Sequence, residues 1–180
     1  MIPDLKLYAP GELDNTGAEA LWQLLVAADD EFVPSLSSRG EEAGERLVTD
    51  VPGASSGPCG YFDEIRSHWI IFSLTDQRIV GMMSFIPHYS NDILCDWSPC
   101  SYLSTLIVDK PYRRCGVARR LYEYLIEHSR KIGDRAVTTR TWSTNVGHLV
   151  LLDDLRFVPA KIIPDHRAPG VDTIYFAKSV

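Results

Sequence analysis

The order of predicted elements along the 180 residues indicates an α/β fold, with a mixed sheet of about six to seven strands and helices on both faces. Two observations predict this class. Apolar runs of strand length alternate with segments whose apolar residues recur every three or four positions, and Gly, Pro, Asp and Asn separate them. A hydrophobic share of 45% and a charged share of 23% suit one folded unit. We therefore expect residues 1–180 to form a single domain.

The first half of the chain begins with a short strand and two helices. The pattern predicts the strand at 5–8 and the helices at 18–28 and 41–48. Residues 50–60 are dense in Gly, Pro and Ser, so we expect an exposed connection there. Two strands at 68–74 and 79–86 follow, joined by a tight hairpin turn at 75–78.

The second half alternates strands with helices and ends in a hairpin. A polar loop at 87–99 leads into a β-branched strand at 103–108. The remaining predicted elements are a helix at 116–132, a strand at 136–142, a helix at 145–155 and strands at 158–163 and 173–177. The final loop is expected at 164–170, because Pro and Gly interrupt the pattern there.

The turn between the 103–108 strand and the 116–132 helix has the features of an anion site. The first amides of a helix lack internal acceptors, and the macrodipole makes that end partly positive. Gly116 and the small Ala118 would let an oxyanion approach the backbone. Five of the chain's 18 Lys and Arg lie within this segment, although the net charge is −6. A solvated helix start, with arginines present only for solubility, is the alternative.

The motif in this turn excludes two kinds of phosphate site. It has neither the phosphate-binding loop pattern that ends in Gly-Lys-Ser/Thr nor the three-glycine dinucleotide pattern. What remains is Arg113-x-x-Gly116-x-Ala118. This motif, placed between a strand and a helix, resembles the acetyl-coenzyme A signature of the GNAT superfamily of N-acetyltransferases. The element order is similar to the GNAT fold over nearly the whole chain.

The resemblance implies a mostly antiparallel, twisted sheet and acetyl-coenzyme A (acetyl-CoA) as cosubstrate. The pyrophosphate would lie on the amides of Arg114 to Ala118, and the pantetheine arm would run along Leu106 to Val108. Asn145 matches an asparagine that is common in the family. The implied cofactor-binding residues are Leu106, Ile107, Val108, Arg113, Arg114, Cys115, Gly116, Val117, Ala118, Arg119 and Asn145.

One position departs from the family pattern and affects the mechanism. Many GNAT enzymes have a tyrosine on the last helix that protonates the departing thiolate, and here Leu152 stands in that place. Arg156 likewise stands where a glycine is common. The catalytic residues therefore stay unassigned. We considered five candidates for proton transfer near the site, each with a structural alternative: Asp96, Tyr102, Ser104, His148 and Tyr175.

The acceptor side is predicted to follow the first helix. Asp30 lies within three consecutive acidic residues, and Phe32 follows them, so the segment could bind a cationic amine. A solvated helix end is an equally good interpretation. The resemblance implies transfer of acetyl to a primary amine of a small or amino-acid-like acceptor. A noncatalytic acyl-CoA binding or sensing protein is the alternative.

Composition bears on partners and location. The net charge of −6 and the short basic cluster argue against nucleic acid. The absence of a long apolar run argues against a membrane and makes the cytoplasm the default. The cysteines lack metal-ligand spacing, so we expect no metal and free thiols at Cys59, Cys95, Cys100 and Cys115. Edge strands in the terminal hairpin are consistent with a homodimer.

Overall fold

The computed structural model describes residues 3–35 and 57–180. Its strands are β1 (Asp4–Tyr8), β2 (Trp69–Thr75), β3 (Arg78–Tyr89), β4 (Cys100–Val108), β5 (Ala136–Trp142), β6 (Val158–Ala168) and β7 (Val171–Ser179). The helices are α1 (Asn15–Ala28), α2 (Gly57–Arg66), α3 (Val117–Ile132) and α4 (Val146–Asp154). Short 3₁₀ turns occur at Asp29–Glu31, Asp92–Trp97 and Lys110–Tyr112.

The strands form one sheet of seven, in the order β1-β2-β3-β4-β5-β7-β6. Only β4 and β5 pair in parallel, and every other neighbouring pair among the described strands is antiparallel. The parallel connection is made by α3, as such a pair requires a crossover. The predicted mixed, mostly antiparallel sheet of six to seven strands is therefore confirmed.

Local sequence explains several element boundaries. Asp76 and Gln77 have φ values of 49° and 63°, the left-handed pair that a two-residue hairpin turn between β2 and β3 needs. The Asp14 side chain accepts a hydrogen bond of 2.7 Å from Gly17 N and starts α1. The helix α3 ends at Gly133, which adopts φ 82° and caps it.

Alternating residues of the central strands build a core on each face of the sheet. On one face, Ile71 and Phe85 pack with Leu121 and Leu125 of α3. On the other face, Phe72 and the neighbouring buried residues of β2 and β3 pack with α1. Helices thus cover both faces, as predicted. Within the part of the chain that the structure describes, none of the helices has both the length and the apolar character needed to cross a membrane.

Three regions differ from the sequence prediction. Residues 57–60 belong to α2 and not to a loop; Pro58 is compatible with this because a proline fits the first turn of a helix. The predicted loop at 164–170 is largely β6, and the loop at 87–99 contains a 3₁₀ turn. The predicted helix at 41–48 and residues 50–56 lie outside the described residues. Short polar strands and turns carry no strong periodicity, which explains these differences.

Candidate functional site

A cavity opens where β4 and β5 separate. The two strands pair only from Cys100 with Ala136 to Leu103 with Thr139. Beyond these residues both strands continue without pairing to each other, and the space between them belongs to a cavity of about 920 Å³. Its wall includes α4 on one face of the sheet and Ala28 and Phe32 on the other. The cavity therefore connects the two faces.

A β-bulge lies at the narrow end of this opening. Leu103 pairs with Phe85 and Thr105 pairs with Ser84, so Ser104 is the extra residue on β4. The Ser104 hydroxyl lies 2.7 Å from Ser84 Oγ and 3.2 Å from His68 Nδ1. Ser104 also lines the cavity. The bulge brings a polar side chain to a wall that is otherwise mostly apolar.

The turn before α3 presents backbone amides to the other end of the cavity. Arg114 and Gly116 both have left-handed backbones, with φ values of 59° and 84°. Within the described chain, the first amide of α3 that bonds back along the chain is Arg120 N, at 3.0 Å from Gly116 O. The amides of 117–119 thus stay available, as at other helix starts.

Gly116 leaves this backbone open. A Cβ built at this residue would meet no atom within 4 Å, and at φ 84° any other residue would be strained. Ala118, two residues further along the chain, also lines the cavity. A close, unblocked approach to successive amides fits a phosphate group. The residues present therefore fit the diphosphate of a coenzyme A.

The arginine side chains of this turn carry less free positive charge than the sequence suggests. Both carboxylate oxygens of Glu31 accept hydrogen bonds from the Arg113 guanidinium, at 3.0 and 2.7 Å. Lys110 Nζ lies 3.3 Å from the same carboxylate, and Arg119 pairs with Asp154 at 2.8 Å. Because Arg113 and Arg119 already have carboxylate partners within the chain, the backbone amides become the main candidate donors to a bound anion.

The other predicted cofactor residues, except Cys115, lie around the same cavity. Leu106, Ile107 and Val108 line its β4 wall, on the strand edge that has lost its β5 partner. The Val108 carbonyl accepts a bond of 2.9 Å from Arg113 Nε. Asn145 precedes α4, lines the cavity and donates to Thr141 Oγ1 at 3.2 Å. Cys115 is exposed and is not among the described lining residues. The cofactor-binding assignment of these residues stays a prediction.

One residue that the sequence pattern did not single out, Gly81, packs behind this wall. Gly81 on β3 lies under the start of α3, where a Cβ would come within 3.0 Å of Val117 Cγ1 and 3.1 Å of the Ile107 carbonyl oxygen. A larger residue would force Val117 or the β4 backbone to shift by a few tenths of an ångström. A glycine within an apolar strand was the available signal.

Of the two predicted acceptor residues, Phe32 and Asp30, only Phe32 is among the described residues of the cavity wall. Phe32 lines the cavity and contacts Tyr61 edge to face, with ring centroids 5.9 Å apart. Asp30 is exposed and is not among the described residues of the cavity wall. Glu31, between them, binds Arg113. Of the acidic run, the structure brings only this already paired carboxylate to the cavity.

Two of the five candidates for proton transfer lie at the cavity and three do not. Tyr102 and Tyr175 are buried in a cluster with Leu94, and Asp96 is exposed. None of these three is among the described lining residues, whereas Ser104 and His148 are. The chain therefore offers two polar side chains of that group at the cavity.

On α4, His148 lines the cavity, whereas Leu152 is not among the described lining residues. Leu152 is fully buried in the core against α3 and is absent from the described cavity wall. One turn earlier, His148 is half-buried, and its Nε2 lies 2.7 Å from the hydroxyl of the fully buried Tyr122. Burial lowers the pKa of His148 to about 4 and raises the pKa of Tyr122.

Comparison with known proteins assigns the family. The family model of the acetyltransferase (GNAT) family matches residues 36–149, which include β4, the Arg-Gly turn, α3 and β5. The chain belongs to the GNAT family of acetyltransferases. The GNAT family uses acetyl-CoA. A search of curated proteins found no match.

Solved structures share the GNAT fold at low sequence identity. YncA from Salmonella typhimurium, solved with its cofactor acetyl-CoA, has a TM-score of 0.67 at 13% identity, covering 99% of this chain and 94% of that chain. Ribosomal-protein-alanine N-acetyltransferase from Brucella melitensis gives 0.64 at 14%, covering 98% and 99%. Aminoglycoside 6'-acetyltransferase type Ii gives 0.67 at 16%, covering 98% and 96%. These likenesses show the fold.

Proposed function

We propose that this GNAT protein transfers an acetyl group from acetyl-CoA directly to a primary amine of a small or amino-acid-like acceptor. The observation that supports it is the cavity that crosses the sheet between β4 and β5. Its α3 end offers free amides, and its α1 end is lined by Ala28 and Phe32. A donor held at the first end can meet an acceptor that enters from the second.

The residues that would hold acetyl-CoA are the amides from Arg114 to Ala118 and the unpaired edge of β4. When bound, the cosubstrate supplies an acyl group already activated as a thioester. The protein has to position the acceptor and remove one proton, because a free alkylamine with a pKa of about 10 must become neutral before it attacks. Ser104, held by Ser84 at the bulge, can orient the amine by a hydrogen bond.

The size of the cavity favours a small acceptor. About 920 Å³ has to contain the pantetheine arm and the acceptor together, and cavities of about 300–1,000 Å³ are typical of small-molecule sites. The described acceptor end has an aromatic wall, formed by Phe32 on Tyr61. Two proteins of the same fold act on a ribosomal-protein alanine and on an aminoglycoside, so the fold alone does not select the acceptor.

Release of free thiol tests the proposed function. The protein is mixed with acetyl-CoA and a panel of alkylamines, polyamines, amino acids, aminoglycosides and short peptides. We expect thiol release with at least one small amine, together with a product whose mass increases by one acetyl group. Release with peptides alone would overturn the acceptor class. No release with any amine would overturn the enzymatic function.

A second candidate function is noncatalytic binding of acyl-CoA. One observation favours it: Leu152, in the place of the family's tyrosine, is buried in the core and gives the cavity no proton donor. Calorimetric binding of acetyl-CoA with no thiol release across the panel would support this candidate.

We also propose a domain organisation, a location and an oligomeric state for this protein. We infer a single GNAT-like domain over residues 1–180, since strands from both ends of the chain belong to one sheet. A cytoplasmic protein without nucleic-acid or membrane partners agrees with the net charge of −6. A homodimer is supported by β6, an edge strand with Val158 and Ile162 exposed by 48% and 51%. Light scattering after size-exclusion chromatography tests the oligomeric state.

A further inference from the structure

Arg140 lies on the face of the sheet that α1 covers. Ala136, at the start of β5, packs in one cluster with Ile86 of β3. Met82, four residues before Ile86 on the same strand, packs in the core that α1 covers. Because the side chains of a strand alternate between its faces, Met82 and Ile86 share one face, and so do Ala136 and Arg140. The Arg140 side chain therefore belongs to the acceptor side of the cavity.

This arginine directly follows the last residue pair between β4 and β5. Leu103 pairs with Thr139, and the next residues on the two strands are Ser104 and Arg140. Both of these residues line the cavity. Arg140 is half-buried and donates from Nη1 to the hydroxyl of the buried Tyr175 at 3.3 Å. This bond fixes the guanidinium close to the bulge at which Ser104 is proposed to orient the amine.

The other arginines of the cavity wall are concentrated at its α3 end. The described wall contains four arginines, of which three belong to α3 or to the turn before it: Arg113, Arg114 and Arg119. The two carboxylates of the described wall, Glu31 and Asp154, bind two of these three arginines. Arg140 is the fourth, and the described wall contains no third carboxylate beside it. An acceptor deep in the cavity therefore meets a positive charge.

A second guanidinium lies on the same side of the sheet. Arg167 of β6 donates from Nη1 to the Val33 carbonyl and from Nε to Thr173 Oγ1, both at 3.0 Å. Its Cζ lies 5.6 Å from the ring centre of Trp142, which lines the cavity two residues after Arg140. These contacts place two positive charges along the acceptor side. Such a field attracts an anionic acceptor and repels a polyamine.

We propose that the acceptor is an amine that also carries a carboxylate, such as an amino acid, and that Arg140 binds this carboxylate. The inference rests on the proposed acetyl transfer and narrows its acceptor. The parallel N–H groups of a guanidinium match the two oxygens of a carboxylate, and its five donors can bind one while Nη1 keeps its bond to Tyr175. Paired strands are about 4.8 Å apart, so a molecule as small as an amino acid can contact both Ser104 and Arg140.

Matched acceptors test the carboxylate with the unmodified protein. Each amino acid of the thiol-release panel is compared with its carboxamide, which keeps the amine and the side chain but lacks the negative charge. We expect kcat/KM for the preferred amino acid to exceed that for its carboxamide by about tenfold or more, mainly through KM. A carboxylate raises the pKa of the neighbouring amine and keeps it protonated, so amine basicity alone favours the opposite order.

Substitution of Arg140 tests which residue binds the carboxylate. Arg140→Gln removes the charge and keeps an N–H donor for Tyr175. We expect the KM of the amino acid to rise about tenfold or more, while the KM of its carboxamide changes less than about twofold. Arg140→Lys keeps the charge without the fork of donors and should give an intermediate rise. Arg135→Gln is the matched control and should leave both KM values unchanged, because Arg135 is exposed, donates to the Ser98 carbonyl and is not among the described lining residues.

Nitrogen NMR of the parent protein gives a readout that needs no folded variant. With coenzyme A bound, so that no transfer can occur, the Arg140 Nε–H resonance should shift when the amino acid is added and stay in place when the carboxamide is added. An unchanged resonance at saturating amino acid would overturn the role of Arg140, whether or not the variants fold.

The kinetic outcomes separate this inference from the proposed function. Thiol release by the parent with carboxamides or polyamines as efficiently as with amino acids would overturn the carboxylate site and leave acetyl transfer standing. An equal rise of KM for the amino acid and its carboxamide in Arg140→Gln would show a purely structural role of Arg140. No thiol release by the parent with any amine would overturn both the inference and the proposed function.

Discussion

Glu31, at the end of the 3₁₀ turn that follows α1, accepts two hydrogen bonds from the Arg113 guanidinium, at 3.0 and 2.7 Å, although 82 residues separate them along the chain. The same guanidinium donates from Nε to the Val108 carbonyl at 2.9 Å. Arg113 thus connects the predicted acceptor side to the end of β4 and to the predicted phosphate site. Arg113 therefore has a structural role in addition to contributing positive charge.

Glu31→Gln should tighten the binding of coenzyme A. The change removes a negative charge beside Lys110 and Arg113, so the turn repels a polyanion less. The pairs are partly exposed, and we expect a gain of about two- to threefold at low salt that disappears at high salt. Calorimetry at two ionic strengths measures it. Asp30→Asn, an equal change of charge at the neighbouring exposed residue, is the control, and an equal gain there would rule out a specific role of Glu31.

Gly116→Ala should weaken the binding of coenzyme A by about tenfold or more. A methyl group at this position would enter the open space in front of the amides, and the left-handed backbone would be strained by about 1–2 kcal/mol. Gly133→Ala is the matched control. It has nearly the same φ, 82°, and the same free space, but it lies at the opposite end of α3. Equal losses of affinity in the two variants would contradict the predicted phosphate site.

Asp30→Lys should leave the KM of the acceptor unchanged. The side chain is exposed and the described cavity wall does not include it, so its charge is screened by solvent. Phe32→Ala should raise the same KM several-fold, because it removes a ring from the wall. Initial rates over a range of acceptor concentrations measure the KM of both variants. A large increase of KM in Asp30→Lys would restore the acidic run as the amine site.

Leu152→Tyr should lower stability without restoring a missing acid. Leu152 is fully buried against α3, and a larger side chain in a packed core costs about 1–3 kcal/mol. Urea unfolding measures the loss. Val150→Tyr, at a position 57% exposed on the same helix, should leave the unfolding midpoint nearly unchanged. A rise in kcat for folded Leu152→Tyr would show that residue 152 reaches the reacting atoms.

His148 should make the protein less stable in acid. Its pKa is about 4 in the folded protein and about 6.5 in the unfolded chain, so the unfolded state binds more protons between these values. Stability is therefore lost as the pH falls from about 6.5 to 4, by at most about 3 kcal/mol. Urea midpoints at pH 7 and 4.5 measure the loss. His148→Gln should reduce the difference between the two midpoints, and an unchanged difference would contradict the lowered pKa.

Much of the fold could be predicted because its signals are local. The turn at Asp76 and Gln77, the apolar run of β4 and the helical spacing from Val117 each depend on neighbouring residues. The helix α2 (Gly57–Arg66) was missed, since a Gly-Pro pair favours a loop as readily as a first helical turn. The extent of β6 was missed because its polar residues follow no clear alternation.

The order of elements from β2 onward, the mixed α/β class and the open helix start at Gly116 could be predicted from the sequence itself, because periodicity and glycine placement act over a few residues. Only the tertiary structure decided which groups meet at the cavity. The separation of β4 from β5, the pairing of Glu31 with Arg113 and the contact of Tyr122 with His148 join residues that are distant along the chain. Such contacts depend on packing of whole elements, which no local pattern encodes.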